Sequence, residues 1–572
     1  MGRGHGVRAQ FAMKMTIREW EDQAVNSLED QVTPAARRWT RRVAICALFV
    51  GLTMAMTWPM SLHLVARSVD HFDIFFNLWR LRWIHHALTT SPLQLFEGNQ
   101  FFPERLVLSY SDAVLVEGLI AAPLFAIGLP PMLVHNLVLL GGMCASGIGM
   151  YTFARHLTKN ETGAVLAGVV FAFAPFRFGH IQHLEMQWAV WSPWAFWALQ
   201  RTLESGRLKY GVLTGVFAAL QLMSSVYYGL FLGVLLAVVG GLQWLFVARE
   251  LRVPSVRALA VGGLIVTVCA AVYSRPYRAA SSRVGGRSPG EVLEWSAGLN
   301  SYRAVSETNF VYSSFPKGYD EHSLFPGFVP PLLALVGLIA VRPRRTAIIY
   351  AVGLGLAFDM SLGLNGIFYP WLYKYGGVFG GLRAPARASI FFLLFLGALA
   401  ARGATAILGK LAPRARPYAG AALVGLVILE YWVAPLRLIG YPTQAPQLYV
   451  FLRQQPEGIV AHFPMPRGYR LPGQEPQYLY GSTFHWKPIV NGYSGYYPPT
   501  YIRRLRMMER FPDARAIAYL REEHVRYLVI HEAFYKDHSE PGAIILALQS
   551  QNIVPLARLQ DGFGTAVIYR LQ

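Results

Sequence analysis

VAICALFVGLTMAMTWPMSLHL (residues 43–64), with Arg37, Arg38, Arg41 and Arg42 just before it and SVDHFDIFFNLWR (residues 68–80) just after, decides the fold class. An apolar run of about 20 residues is long enough to cross the hydrocarbon of a bilayer, and arginines at one end hold that end on the cytoplasmic side. The run is read as an uncleaved anchor, because a charged tail of this length is no signal-peptide n-region and no small-residue cleavage site stands out. Residues 1–42 form the cytoplasmic tail, and Ile17 to Val32 within it have the pattern of an amphipathic surface helix.

Outward from this span the pattern repeats. Arg155 and Lys159; Arg201, Arg207 and Lys209; Arg249, Arg252 and Arg257; Arg342, Arg344 and Arg345; and Lys410, Arg414 and Arg416 mark successive cytoplasmic turns. Residues 66–111, 176–187, 224–228, 275–323 and 365–386, and everything after Gly440, fall on the other side. Two apolar segments, 113–129 and 132–154, separate the first external loop from Arg155, where only an odd number of crossings fits. The first is shorter, follows Asp112, carries Glu117 and ends at Pro130-Pro131, so residues 112–129 are expected as a helix lying at the external interface. The result is a polytopic α-helical membrane protein with about eleven transmembrane helices over residues 43–439, its N-terminus inside and C-terminus outside.

Composition agrees with a chain whose solvent is the bilayer. Of 572 residues 54% are hydrophobic and only 15% charged, with mean hydropathy +0.33, which is too apolar for a soluble enzyme of this size. The net charge of +20 lies in scattered inter-span clusters, as the positive-inside rule requires, and does not indicate a nucleic-acid partner. Cys46, Cys144 and Cys269 all sit in apolar segments without a pairing motif, so neither a disulfide framework nor a cysteine metal site is expected.

Past Gly440 prolines and tyrosines replace the apolar runs. Alternating segments at 458–463, 487–491, 525–531 and 566–570, with a helix over 513–523, predict an extracytoplasmic α+β domain of residues 440–572. Asn491 to Tyr497 combine aromatics with glycine, either as a sugar-stacking surface or as loop packing.

In the first external loop Phe76, Trp79, Trp83 and Ala87 recur at helical spacing, with Arg80 breaking the aromatic face. A carboxylate just past the first span, an interface-lying helix and then Phe101-Phe102-Pro103-Glu104 resemble the GT-C superfamily of integral-membrane glycosyltransferases, to which protein O-mannosyltransferases and lipid A aminoarabinose transferases belong. Further stretches carry the resemblance over most of the chain, closest to a poorly characterised bacterial branch: Phe173 to Arg177 with His180, His183 and Gln187-Trp188; Ser224 to Gly229 with Tyr227 and Tyr228; Gly381 to Arg387; and Asn491 to Gly495.

The resemblance implies a sugar donor on polyprenyl phosphate, a glycan, lipid or protein acceptor, inversion by a single in-line displacement, and an inner (plasma) membrane location. It also implies a first-loop aspartate as catalytic base. Asp73 matches by its spacing to Asn77 and Trp79, with Asp70 a second candidate that leaves the choice open; either is also explained as a solvated acid or a helix cap. Glu185 resembles the second-loop acid of several GT-C enzymes. His180 and His183, at i, i+3 on a helix, would share a face for contacts to sugar or phosphate, for interface anchoring, or, with a carboxylate, for a divalent metal; no cofactor is otherwise indicated. Arg383 and Arg387 stand on the cation-poor side, where topology gives no reason for them, and a guanidinium fork suits a phosphate diester. Arg275, Arg278, Arg283 and Arg287 either add to that site or meet lipid headgroups.

A lipid-linked glycan transporter or flippase would also be polytopic, but the acidic and histidine clusters lie at span ends, no internal repeat is visible, and the deep acids Asp359 and Glu430 stand alone. A non-catalytic scaffold of the same fold is the third function class.

Overall fold

The computed structural model describes residues 34–318, 320–468 and 470–572; the expected helix over 17–32 lies outside them. The chain divides into two units, up to Leu52 and from Thr53 onward. Among the described residues of the first unit there is one element, the greater part of helix Pro34–Met56, whose basic start precedes its apolar run.

Each apolar segment expected to span is helical: Pro34–Met56, Pro131–Thr158, Glu161–Phe173, Trp191–Ser205, Leu208–Ser224, Val226–Trp244, Arg249–Val284, Val329–Ile339, Arg344–Ser361, Ser389–Gly409 and Arg416–Glu430. Among the described residues six stretches are long and apolar enough to cross a membrane: 38–56, 131–158, 161–179, 226–244, 249–284 and 385–409. The chain is a mostly helical polytopic membrane protein. Small residues let these helices close on one another, as is usual where lipid tails compete with apolar side chains. A Cβ on Gly211 or Gly215 would run into the Ala258 and Gly262 carbonyls, and one on Gly337 or Gly403 into those of Leu399 and Leu333, so helix 208–224 packs on 249–284 and helix 329–339 on 389–409 at backbone contact.

The segment expected at 112–129 forms helix Leu115–Ala126, kept short by the turn at Gly128 and bearing Pro123. Asp112 does not start it. Its carboxylate instead accepts from the Val226 N–H (2.9 Å) and the Ser225 hydroxyl (3.1 Å) at the start of helix Val226–Trp244. Asp359 and Glu430, expected to stand alone at depth, are at the ends of their helices and have backbone or hydroxyl partners: Asp359 accepts from the N–H groups of Ile367 (2.7 Å) and Phe368 (2.8 Å) in the turn that follows, and Glu430 from Tyr312 and from the Phe328 and Val329 N–H groups at the start of helix 329–339.

Strands Ile459–Phe463, Val525–His531, Thr565–Arg570 and Pro555–Gln560 lie side by side in that order, the first pair parallel and the others antiparallel. Asp513 caps helix Ala514–Glu522 by accepting from the Ala516 N–H at 2.8 Å. Residues 487–491, expected as a strand, make a single bridge, Val460 to Ile489. Their remaining backbone pairs with the first loop: Ile489 N–H to Asn99 O (2.8 Å), Phe101 N–H to Asn491 O (2.8 Å) and Phe102 N–H to Ile489 O (3.0 Å). A two-stranded ribbon, Arg67–Val69 against Leu438–Gly440, makes a second tie. Both bring the segment after Asn491 beside the start of helix Asp73–Thr90.

Candidate active site

Asp73 opens helix Asp73–Thr90, where the helix dipole favours an anion. The aromatic face behind it is a stack, Phe76 on Trp79 (5.9 Å between centroids) and Trp79 on Trp83 (6.3 Å), buried against the rest of the fold. The carboxylate is only 8% exposed and both oxygens are engaged. Oδ1 accepts from the Tyr493 hydroxyl at 2.7 Å, and His183 Nε2 lies 3.1 Å from Oδ2. His71 Nδ1 accepts the Asp73 backbone N–H at 3.1 Å, which places any His71 ring proton of the neutral form on Nε2. Burial pushes the Asp73 carboxyl up, but the hydrogen bond and charge of His183, the His71 charge and the Tyr493 hydroxyl outweigh it and hold the group well below its ordinary 3.8. Burial pulls the His183 imidazole down, and the Asp73 carboxylate more than reverses this, so its pKa is raised.

Beside this pair runs a buried chain of alternating charge. Arg80, 2% exposed, reaches Glu185 Oε2 at 3.0 Å, the Asp112 carbonyl at 2.7 Å and the Asn77 side chain. Arg387 lies 3.8 Å from Glu185 Oε1 and binds Glu321 at 2.9 and 3.0 Å. Burial raises the Glu321 carboxyl, yet Arg387 and the two histidines overcome it and bring it down to about 2. Burial and the charge of Glu185 raise Asp112 to about 6.

Asp73, Arg80, Asp112, His183, Glu185 and Arg387 line a cavity of about 410 Å³ together with Tyr227, Trp295, Arg383 and the 493–497 segment, and Glu321 backs Arg387 from behind that wall. Arg383 lies with its guanidinium over the Trp295 ring, 5.0 Å from the centroid, and its backbone N–H donates to the Tyr227 hydroxyl at 2.9 Å. Among the described residues no carboxylate is within ion-pair distance of it, whereas Arg287 is committed to Glu291 (2.7 Å) and the Gly495 carbonyl (2.7 Å).

The structure therefore gathers Asp73, His183, Glu185, Tyr227, Arg383 and Arg387 around one space. Asp70 is exposed, in the bend between strand 67–69 and the helix, and does not line it. Tyr228 is buried against Phe391 and also lies off the cavity wall. His180 and His183 do not share a helical face, because the helix stops at Gly179; they meet across a turn, Nδ1 to Nδ1 at 3.2 Å. That contact and the Asp73 bond use three of their four ring nitrogens. Among the described residues no group of three or more His, Cys, Asp and Glu side chains is arranged to hold a metal ion. Arg387, expected as a second phosphate fork, spends its guanidinium on Glu321 and Glu185.

Arg80, Asp112 and Glu321 are not among the site residues expected from the sequence, whereas Tyr493 falls in the 491–497 stretch read there as a sugar-stacking surface or loop packing. Of the first three, Arg80 left a signal as a cation interrupting an aromatic helix face; such a residue is tolerated in a buried face when a carboxylate meets it.

Three solved structures share this arrangement of helices. Arabinofuranosyltransferase AftD from Mycobacteria superposes over 94% of this chain with TM-score 0.61 at 14% identity. The oligosaccharyltransferase AglB from Archaeoglobus fulgidus, in complex with an inhibitory peptide and a dolichol-phosphate, does so over 94% with TM-score 0.50 at 11% identity. An Archaeoglobus fulgidus oligosaccharyltransferase tethered with an acceptor peptide matches over 86%, with TM-score 0.51 at 12% identity. The chain has the GT-C glycosyltransferase fold. It spans 40% of AftD, and 74% and 69% of the two oligosaccharyltransferase chains. No protein-family model and no curated protein matches it. At these identities the shared property is the GT-C fold, and the chemistry must be argued from the cavity itself.

Proposed function

We propose that this chain is a membrane glycosyltransferase that moves a sugar from a polyprenyl-phosphate donor to the hydroxyl of an extracytoplasmic acceptor. The observation that carries this is the joint presence, on one cavity, of a carboxylate held as an anion and an arginine with no carboxylate partner among the described residues. A sugar phosphate already has a good leaving group, so the reaction asks for a base and a cation. Asp73 takes the acceptor proton as its oxygen attacks the anomeric carbon, and Arg383 steadies the departing phosphate. One displacement inverts the anomeric centre. AglB is captured with a dolichol-phosphate, which agrees with a lipid phosphate at a site of this fold.

Incubating the reconstituted protein with a radiolabelled polyprenyl-phosphate sugar and following release of the lipid phosphate tests the assignment; no turnover with any sugar on such a carrier refutes it. Within that assay, Arg383→Ala should lower kcat/KM for the donor by about 10- to 100-fold, the worth of a lost hydrogen bond to a charged group at about 1.5 to 3 kcal/mol. Lysine should restore only part, having no planar fork. Donor kinetics unchanged in the alanine variant would move the phosphate elsewhere.

In the membrane we assign all eleven helices given above as crossings, with residues 66–111, helix 115–126, residues 275–323 and the region from 440 on the extracytoplasmic side. Single cysteines placed at Arg155 and at Leu93, the latter fully exposed between helices, should react oppositely with an impermeant maleimide in intact cells: protected at 155, labelled at 93. Labelling at 155 reverses the orientation.

A further inference from the structure

A base that accepts the proton of an incoming hydroxyl needs a free site on its carboxylate, within about 2.6 to 3.2 Å of that oxygen. Each Asp73 oxygen already has a partner in this conformation: one faces His183 Nε2 at 3.1 Å, and the other accepts from a hydroxyl, that of Tyr493, at 2.7 Å. The phenol thus occupies one accepting position of the base, at the cavity that Asp73 and Tyr493 both line.

Its surroundings allow the side chain to move while the main chain stays. The Gly492 N–H donates to Glu475 Oε2 (2.7 Å), the Tyr493 N–H to Gln100 Oε1 (2.9 Å), and the Gly495 carbonyl accepts from Arg287 (2.7 Å). The backbone is therefore pinned on both sides of Tyr493 by groups from other parts of the chain. The ring itself meets Phe72 and Phe76 edge to face, with centroids 5.6 and 5.1 Å away, and borders the open cavity. Edge contacts of this kind are weak enough for a ligand to displace.

Resting on the glycosyltransferase assignment above, we infer that Tyr493 is an acceptor gate: its hydroxyl holds the place of the acceptor on Asp73 and yields only to a sugar or other polyol that brings contacts of its own. Water competes for the same position. When water is the acceptor, its O–H proton passes to Asp73, its oxygen bonds the anomeric carbon, the bond from that carbon to the phosphate oxygen breaks, and free sugar and polyprenyl phosphate are released. The transfer reaction differs only in the hydroxyl that attacks. A lone water gains little by ejecting the phenol, whereas an acceptor with several hydroxyls and a ring to stack gains enough, so the gate selects transfer over hydrolysis.

Tyr493→Phe keeps the ring and its packing and removes the hydroxyl. With a radiolabelled polyprenyl-phosphate sugar, free sugar release without acceptor should rise about tenfold, the order expected when one charged hydrogen bond no longer has to be broken and water partly replaces it. The acceptor KM should fall, because the acceptor no longer has to displace the hydroxyl. A tyrosine that merely supports the fold or holds Asp73 in place gives the opposite result: hydrolysis and transfer decline together. That decline, or an unchanged ratio of hydrolysis to transfer with an active wild type, overturns the gate and leaves the glycosyltransferase assignment standing. If neither protein cleaves any such donor, the assignment itself fails and the gate falls with it.

Discussion

Asp73→Asn should reduce sugar transfer by about 100- to 10,000-fold, the range usual for removing a general base, with donor binding preserved. Asparagine keeps the shape and can still accept from the Tyr493 hydroxyl, but it cannot take a proton from the acceptor. The sign of the pH dependence follows from the depressed carboxyl. A group whose pKa lies below 3.8 is ionised above that value and is lost as a base only when the pH falls through its folded pKa, so the wild-type rate should hold through the mildly acidic range. The imidazolium facing Asp73 is present below the raised His183 pKa and lost above it. Asp70→Asn, at an exposed position off the cavity, should transfer at a rate close to wild type. Both variants are compared with wild type in the radiolabelled assay at several pH values. An active Asp73→Asn, or an inactive Asp70→Asn of normal stability, would remove Asp73 from the role.

Arg387→Met carries the second large expected effect, on stability. Its guanidinium is 7% exposed and lies between Glu321, 1% exposed, and Glu185, 5% exposed. Taking the cation away leaves Glu321 without its ion-pair partner in a buried setting and Glu185 with Arg80 alone. Breaking such a buried pair on one side costs about 3 to 5 kcal/mol, because the remaining charge is desolvated without compensation. Thermal unfolding of the purified protein in detergent should show a marked fall in Tm. Adding Glu321→Gln should recover part of it by removing the stranded charge, a non-additivity that the double-mutant comparison reads directly. A single variant with unchanged Tm would mean that the pair contributes no net stability.

Local properties of the chain were legible before its fold. Apolar run length marked the helical segments, six of which are long and apolar enough to cross a membrane, since each helix needs only its own residues to satisfy its backbone. The parity of crossings singled out residues 112–129, and a short helix with an internal proline stands there. Alternation placed strands 459–463, 525–531 and 565–570, and the helix expected over 513–523 stands at Ala514–Glu522. Asp73 stood out by its position after the first span and Arg383 by its charge on the wrong side for topology. What stayed hidden depends on residues far apart in sequence. Arg80 looked like a flaw in an aromatic face until Glu185, 105 residues away, met it. Tyr493 touches Asp73 across 420 residues, and Glu321 finds Arg387 across 66. His180 and His183 were paired by a helical spacing that the chain abandons at Gly179, yet a turn brings them together by another route. The sequence determined which segments form apolar helices and which few ionisable groups lie near their ends. Only tertiary packing decided which of those charges neutralise one another and which is left facing the cavity, because desolvation makes buried ions choose partners by distance in space, which no periodicity records.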